Sequence, residues 1–212
     1  MNSDINRGTT GGEAARYVVL VTDMLNDFVY GELKSKRAKV IIPKVKLLLD
    51  KARSSAVPVI YCNDQHIPTD PELKVWGEHA MKGTIGSTIV DDLRPSLADR
   101  IVSKRAYSAF DDGRLDRILN KLYNGSGITT IIITGIHTHI CIKHSAYDAF
   151  MRGYETIIAR DAVNAFTKKD HLLGLKYMKD NYGSKIQNVA TIIRKFNELS
   201  TSKAINTNQT IT

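Results

Sequence analysis

Short runs of apolar residues alternate along the chain with longer amphipathic stretches. Five runs rich in Val and Ile, and a shorter sixth run, have the length and composition of β-strands. They lie at residues 17–23, 57–63, 100–104, 128–135, 154–160 and 185–190. Most of them are nearly continuous in apolar residues, which is typical of strands covered on both faces in a parallel sheet.

The stretches between these strands place apolar residues three and four positions apart, as on one face of an α-helix. The predicted helices lie at 40–55, 113–124, 141–154 and 169–183. The alternation of strand and helix predicts a doubly wound, Rossmann-like α/β fold, with a mostly parallel sheet of about six strands and helices on both faces. We expect one domain at 16–199, between a flexible N-terminal arm at 1–15 and a polar C-terminal tail at 200–212.

An irregular segment at 64–99, rich in Pro and Gly, interrupts the alternation. Long irregular segments in regular folds are more often functional than structural. In parallel α/β sheets, ligands bind beyond the carboxyl ends of the strands, so the polar residues there are expected to converge on one site. These residues are Asp23, Asp64, His66, Lys104 and the segment 135–141.

The composition is that of an ordinary globular protein, with 212 residues, 42% hydrophobic and 25% charged. No apolar run approaches the ~20 residues of a membrane-spanning helix, and the first residues lack the apolar region of a signal peptide. Only two cysteines occur, which excludes a disulfide framework. These features predict a soluble cytoplasmic protein without a membrane partner.

The formal net charge of +8 raises the alternative of nucleic-acid binding. That function requires the basic residues to be concentrated on one face, whereas here they are scattered along the helical stretches. A solvated basic surface accounts for the charge, and we expect no nucleic-acid partner.

Cys141 stands where a predicted strand ends and an amphipathic helix begins. Free N–H groups and the helix dipole at such a position favour a thiolate and lower the pKa of the thiol. The backbone N–H of Cys141 would also face an oxyanion formed by attack of its sulfur. Cys62 lies inside a strand, where a small buried hydrophobe is expected.

Asp23 and Lys104 each follow or end a predicted strand. Partial burial would raise the pKa of the Asp23 carboxyl and suit it to act as a base. An ammonium at Lys104 would favour a carboxylate and a thiolate beside it. The nearby Asp27 is interpreted as a capping residue of the following turn.

A second cluster of candidate residues consists of Asp64, His66 and His79. One carboxylate and two imidazoles suit a borderline divalent metal ion, with zinc as the first choice and manganese or iron as alternatives. Histidines in a loop are surface residues as often as ligands, so spacing alone leaves both interpretations open.

Four blocks of sequence resemble the isochorismatase-like cysteine hydrolases, over roughly residues 17–195. The blocks are GIHTHICIKHSAYDA (135–149), LVTDMLNDF (20–28), Lys104 with YSAF (107–110), and WGEHAMKGTIGS (76–87). The family includes nicotinamidases, pyrazinamidases, N-carbamoylsarcosine amidohydrolase and isochorismatases. The fourth block is similar to nicotinamidases in particular.

The resemblance implies a catalytic triad of Asp23 as general base, Lys104 as charge-stabilising residue and Cys141 as nucleophile. It also implies a cis peptide bond between Ile136 and His137. That bond would turn the N–H of His137 towards the site, to form an oxyanion hole with the N–H of Cys141.

The resemblance further implies that Asp64, His66 and His79 are metal ligands, a set that isochorismatases lack. Phe28 and Trp76 match the aromatic positions that sandwich the nicotinamide ring in nicotinamidases. The chain departs from the family at residue 137, where Ala or Ser is usual, and the bulkier His137 is expected to alter substrate choice. His139 also stands where nicotinamidases commonly have an acid.

The expected function is therefore hydrolysis of a small-molecule amide, with nicotinamide converted through a thioester to nicotinate and ammonia in NAD salvage. Family members commonly form homo-oligomers, and a dimer or tetramer is expected. Two alternatives stay open: a hydrolase of the same fold acting on a carbamoyl, ureido or isochorismate-like compound, and a binding protein without turnover.

Overall fold

Six parallel strands form one sheet in the order β3-β2-β1-β4-β5-β6. The structure is a computed structural model that describes the backbone of residues 15–209 and the side chains of residues 15–199. The strands are β1 (Tyr17–Thr22), β2 (Val59–Asp64), β3 (Arg100–Lys104), β4 (Thr130–Ile136), β5 (Glu155–Asn164) and β6 (Lys185–Gln187). The predicted doubly wound α/β fold is confirmed.

Helices cover both faces of the sheet. They are α1 (Asn26–Val29), α2 (Lys36–Ser54), α3 (Leu73–Trp76), α4 (Arg114–Lys121), α5 (Cys141–Met151), α6 (Lys168–Tyr182) and α7 (Val189–Gln209). Short 3₁₀ turns occur at Ile85–Ser87 and Asp91–Leu93. Within residues 15–209, none of the helices has the length and apolar character needed to cross a membrane.

The C-terminal helix α7 was missed in the sequence. Its buried residues Val189, Ile192 and Phe196 pack against the core. The predicted C-terminal tail begins inside this helix, because the backbone of 200–209 is helical. Residues 1–14 of the predicted N-terminal arm, and 210–212, lie outside the described residues.

The sheet separates two hydrophobic clusters, since successive side chains of a strand point to opposite faces. In β1, Val19 and Val21 belong to the cluster on one face, and Val18 and Leu20 belong to the cluster on the other. This two-sided burial is the reason that the strands are continuously apolar.

The strand order reverses at β1, which pairs with β2 on one side and β4 on the other. At such a switch point the loops leave the sheet in opposite directions and open a crevice at the carboxyl ends of the strands. Gly135 pairs with Thr22 there and has a φ of 109°. A Cβ at residue 135 would lie 2.0 Å from the carbonyl oxygen of Thr22, so only glycine allows this approach.

Candidate active site

Two carboxylates share one buried ammonium at the crevice. The Nζ of Lys104 lies 2.8 Å from Oδ2 of Asp23 and also contacts Oδ1 of Asp64. Strand register explains the second contact, because Asp64 at the end of β2 is paired with Lys104 at the end of β3. The backbone N–H of Asp64 donates to Oδ1 of Asp23 at 2.8 Å. All three side chains are buried.

Cys141 completes this group as the first residue of α5. Its Sγ lies 3.8 Å from Nζ of Lys104. The sulfur and one carboxylate oxygen each from Asp23 and Asp64 lie within 4.8 Å of one another. The structure therefore brings together Asp23, Lys104 and Cys141, which are far apart in the sequence.

Burial decides the protonation of the acid and the thiol. Burial and the neighbouring Asp64 raise the pKa of the Asp23 carboxyl to about 7, against the opposing effect of Lys104. Burial also raises the pKa of the Cys141 thiol well above its usual value, and the charge of Lys104 does not offset it. The prediction of a lowered thiol pKa is therefore wrong, because desolvation outweighs the ammonium and the helix N-terminus. The resting thiol keeps its proton.

The loop before Cys141 carries two free backbone donors. The peptide bond between Ile136 and His137 is cis. Within residues 15–209, the N–H groups of His137 and Cys141 have no hydrogen-bond acceptor, although the neighbouring N–H groups of Ile140 and Ile142 both donate to the carbonyl of His137. Two free donors beside the sulfur are suited to bind an oxyanion.

The predicted metal ligands also lie together, with one further residue. Single ligand atoms of Asp64, His66, Glu72 and His79 lie within 4.8 Å of one another. The Nε2 of His66 lies 3.7 Å from Asp64 Oδ2 and 3.5 Å from Glu72 Oε2, and the Nε2 of His79 lies 3.8 Å from the same oxygen of Glu72. Glu72, just before α3, was missed in the sequence.

These four residues fit a divalent metal ion. Oδ2 of Asp64 and Nε2 of His66 are buried and have no hydrogen-bond partner among the described residues. Buried polar atoms without a partner are rare, and a bound ion would satisfy both. Two carboxylates and two imidazoles form a donor set that suits zinc, manganese or iron.

A carboxylate outside the cluster orients His66. The Nδ1 of His66 lies 3.0 Å from Oδ2 of Asp70, which also accepts the N–H of Ile67 at 3.0 Å. Arg105 donates from Nε to Oδ1 of Asp70 at 3.0 Å. The other nitrogen of His66, Nε2, is thereby left facing the cluster, as is usual for metal-binding histidines.

Asp27 connects α1 to the segment that carries His79. Its Oδ2 accepts the N–H of the buried Ala80 at 2.7 Å. The N-cap of α1 is Leu25 and has no side-chain hydrogen bond, so the interpretation of Asp27 as a capping residue is wrong. Gly86 makes room for this carboxylate, since a Cβ there would lie 2.0 Å from Oδ2.

Replacing Asp27 with alanine is expected to lower the free energy of unfolding by about 1–3 kcal/mol, because it leaves the buried N–H of Ala80 without an acceptor. Urea denaturation measures the change. Asp92→Ala, at an exposed aspartate, is the control and should be close to neutral. Equal stability of the two variants would contradict the assigned contact.

A small pocket of about 260 Å³ lies between the sulfur and the metal-ligand cluster. Its lining residues are Phe28, Leu33, Asp64, Glu72, Trp76, His79, Tyr107, His137, Ile140, Cys141 and Phe166. Trp76 stacks on Phe166 with ring centroids 5.7 Å apart and donates from Nε1 to the hydroxyl of Tyr107 at 3.1 Å. The pocket is smaller than most ligand sites and suits a small, largely apolar molecule.

Fold and site together define a cysteine hydrolase built on a parallel α/β sheet. The Isochorismatase domain model matches residues 17–193, and the chain therefore belongs to the isochorismatase family.

Three relatives illustrate the range of the family. Nicotinamidase 3 of Arabidopsis thaliana is 32% identical over 72% of this chain and 75% of that protein. The crystal structure of N-carbamoylsarcosine amidase from Thermoplasma acidophilum has 36% identity and a TM-score of 0.76, with 82% of this chain and 96% of that chain covered. The crystal structure of pyrazinamidase of Pyrococcus horikoshii in complex with zinc has 28% identity and a TM-score of 0.74, covering 82% and 99%.

Proposed function

We propose that this chain is a metal-assisted amidohydrolase that converts nicotinamide to nicotinate and ammonia. The observation that carries the proposal is the position of Cys141, which lies beside the pair of Asp23 and Lys104 and lines the same pocket as the metal-ligand cluster. The similarity to a nicotinamidase and to a zinc-containing pyrazinamidase supports it.

The first step is attack of the Cys141 sulfur on the carboxamide carbon. The thiol is neutral at rest, so the Asp23 carboxylate accepts its proton as the carbon–sulfur bond forms. The N–H groups of His137 and Cys141 bind the resulting oxyanion. Lys104 stays protonated, because the carboxylates of Asp23 and Asp64 raise its pKa more than burial lowers it.

The second step releases ammonia and then the acid. The protonated Asp23 donates its proton to the departing amide nitrogen, and the carbon–nitrogen bond breaks to leave a thioester on Cys141. Asp23 then accepts a proton from an incoming water as that water attacks the thioester. Cleavage of the carbon–sulfur bond releases the carboxylic acid and restores the thiol with the proton from Asp23.

The metal ion would be held by Asp64, His66, Glu72 and His79, and we propose zinc, with manganese or iron as alternatives. When bound, the ion supplies a Lewis acid that binds a nitrogen lone pair of the substrate. The side chains of Phe28 and Trp76 would contact the ring of that substrate from the pocket walls. Correct placement of the amide makes the attack by sulfur effectively intramolecular.

Replacing Asp70 with asparagine is expected to weaken zinc binding by about 10–100-fold, because the outer carboxylate no longer orients His66. Competition with a chromogenic chelator measures the zinc affinity. Asp91→Asn, at an exposed carboxylate paired with Arg94, is the matched control. Unchanged affinity of the Asp70 variant would show that His66 does not depend on this contact.

The function is tested by incubating the purified protein with nicotinamide and measuring ammonia. We expect release that is lost after chelation and restored by zinc. Absence of release from nicotinamide under all these conditions, in a folded and zinc-loaded protein, would refute the proposed reaction.

A second candidate function is hydrolysis of a carbamoyl compound, and the 36% identity to N-carbamoylsarcosine amidase favours it. Ammonia release from a carbamoyl compound and none from nicotinamide would support this candidate. Absence of any hydrolysis would favour a binding protein. A place in NAD salvage, a cytoplasmic location, a homo-oligomeric state and the lack of a nucleic-acid partner stay predictions.

A further inference from the structure

His137 is held in the pocket wall by aromatic rings. Its imidazole stacks on Phe166 with ring centroids 3.8 Å apart and planes 26° apart, and it meets the Phe28 ring edge-on at 5.9 Å. Only 3% of the residue is exposed, and it lines the pocket together with Cys141. The position of the ring is therefore set by packing on its face and its edge.

The two nitrogens of this ring have no partner. Neither Nδ1 nor Nε2 of His137 makes a hydrogen bond within the described part of the chain. An unpaired buried polar group is costly, and a ligand that fills the pocket would supply the missing partner. Burial lowers the pKa of His137 to about 3, so the ring is neutral and offers one donor and one acceptor.

The charges around the pocket limit what that partner can be. Among the lining residues there is no Lys or Arg, and the acids Asp64 and Glu72 carry two negative charges that a divalent ion would neutralise. A carboxylate on the acyl part of a substrate would therefore lack a counter-charge in the pocket, and burying an unpaired charge is unfavourable. A neutral imidazole suits an uncharged polar atom.

We propose that His137 determines specificity by hydrogen-bonding an uncharged polar atom, such as a ring nitrogen, in the acyl group of the substrate. The enzyme then selects small neutral amides that carry such an atom. This inference rests on the proposed amide hydrolysis at Cys141, and it assigns to the side chain of His137 a task separate from that of its backbone N–H.

Two variants separate the nitrogens of His137 from its shape. His137→Phe keeps a flat ring against Phe166 but removes both nitrogens, and His137→Asn returns a donor and an acceptor. His139→Phe is the matched control, because His139 lies on the same loop but does not line the pocket. The probes are benzamide, the three pyridine carboxamides and pyrazinamide, which differ only in the number and position of ring nitrogens.

We expect at least one ring nitrogen to raise kcat/KM of the unaltered enzyme over that of benzamide by about tenfold or more, the effect of one buried hydrogen bond. In His137→Phe this advantage should disappear, mainly through KM, while hydrolysis of benzamide persists. His137→Asn should recover part of the advantage, and His139→Phe should retain it.

Three results would overturn the proposal. They are an equal loss for every amide in His137→Phe, no change for any amide, and faster hydrolysis of N-carbamoylglycine, which bears a carboxylate, than of the neutral amides. If the unaltered enzyme hydrolyses none of the probes, the proposed function fails. Calorimetric binding of the same amides to Cys141→Ala, with and without His137→Phe, then decides the role of His137, and affinities that do not depend on a ring nitrogen would refute it.

Discussion

Alanine in place of Cys141 is expected to abolish amide hydrolysis, with kcat falling on the order of 10⁶-fold. The side chain supplies the atom that forms the covalent intermediate, and no other described thiol lines the pocket. Asp23 and Lys104 remain in place in this variant but have no nucleophile to activate. Ammonia release from nicotinamide measures the loss, and thermal unfolding shows that the variant is folded.

Cys62→Ala is the matched control for the loss of a buried thiol. Cys62 is fully buried in β2, among the apolar residues of one core cluster, and burial raises the pKa of its thiol. We expect this control to lose some stability and to keep its turnover. Turnover of Cys141→Ala equal to that of the control would mean that the reaction uses a different nucleophile.

Methionine in place of Lys104 is expected to lower the free energy of unfolding by about 3–5 kcal/mol and to remove turnover. A side chain of similar length fills the space, but Asp23 and Asp64 are left buried without a cation, and breaking a buried ion pair in this way is strongly destabilising. Turnover is lost because one of these carboxylates must accept the proton of the thiol. Urea denaturation and ammonia release measure the two effects.

Lys121→Met, at an exposed lysine of α4, is the control for the change of residue type. Its free energy of unfolding should change by no more than about 0.5 kcal/mol. If Lys104→Met were as stable as this control, the buried ammonium would not be balancing the two acids. If Lys104→Met kept full turnover, its role in the proposed mechanism would be wrong.

The strands and the residues at their ends could be predicted from the sequence, for one physical reason. Strands buried on both faces are continuously apolar, so their ends are visible in the sequence, and parallel strands bring those ends to one edge. This rule brought Asp23, Lys104 and Cys141 into one hypothesis. It does not predict strand register, which places Asp64 against Lys104 as well as in the metal-ligand cluster.

The contributions of the irregular segment could not be predicted, because its path depends on long-range contacts. Glu72 joins the metal-ligand cluster only because the chain folds back between His66 and His79, a path that no local periodicity encodes. The contact of Asp27 with Ala80 spans 53 residues. Phe166 follows the end of β5, so the strand-end rule could have identified it as a pocket residue.

The helix α7 and the protonation of the thiol show two further limits of sequence reasoning. The second half of α7 is polar and lacks an apolar stripe that marks a helix, although its first half packs on the core. The pKa of Cys141 depends on how completely the surroundings exclude water, and position at a helix N-terminus does not reveal that.

The order of the sheet has a consequence for how activity returns after denaturation. Asp23, Asp64, Lys104 and Cys141 follow or end four adjacent strands, and each parallel pair is joined by a crossover rather than a tight turn. Loop closures of this length are slow steps of folding. A half-formed sheet therefore has no partial catalytic competence, and recovery of turnover during refolding reports the last of these dockings rather than the first collapse.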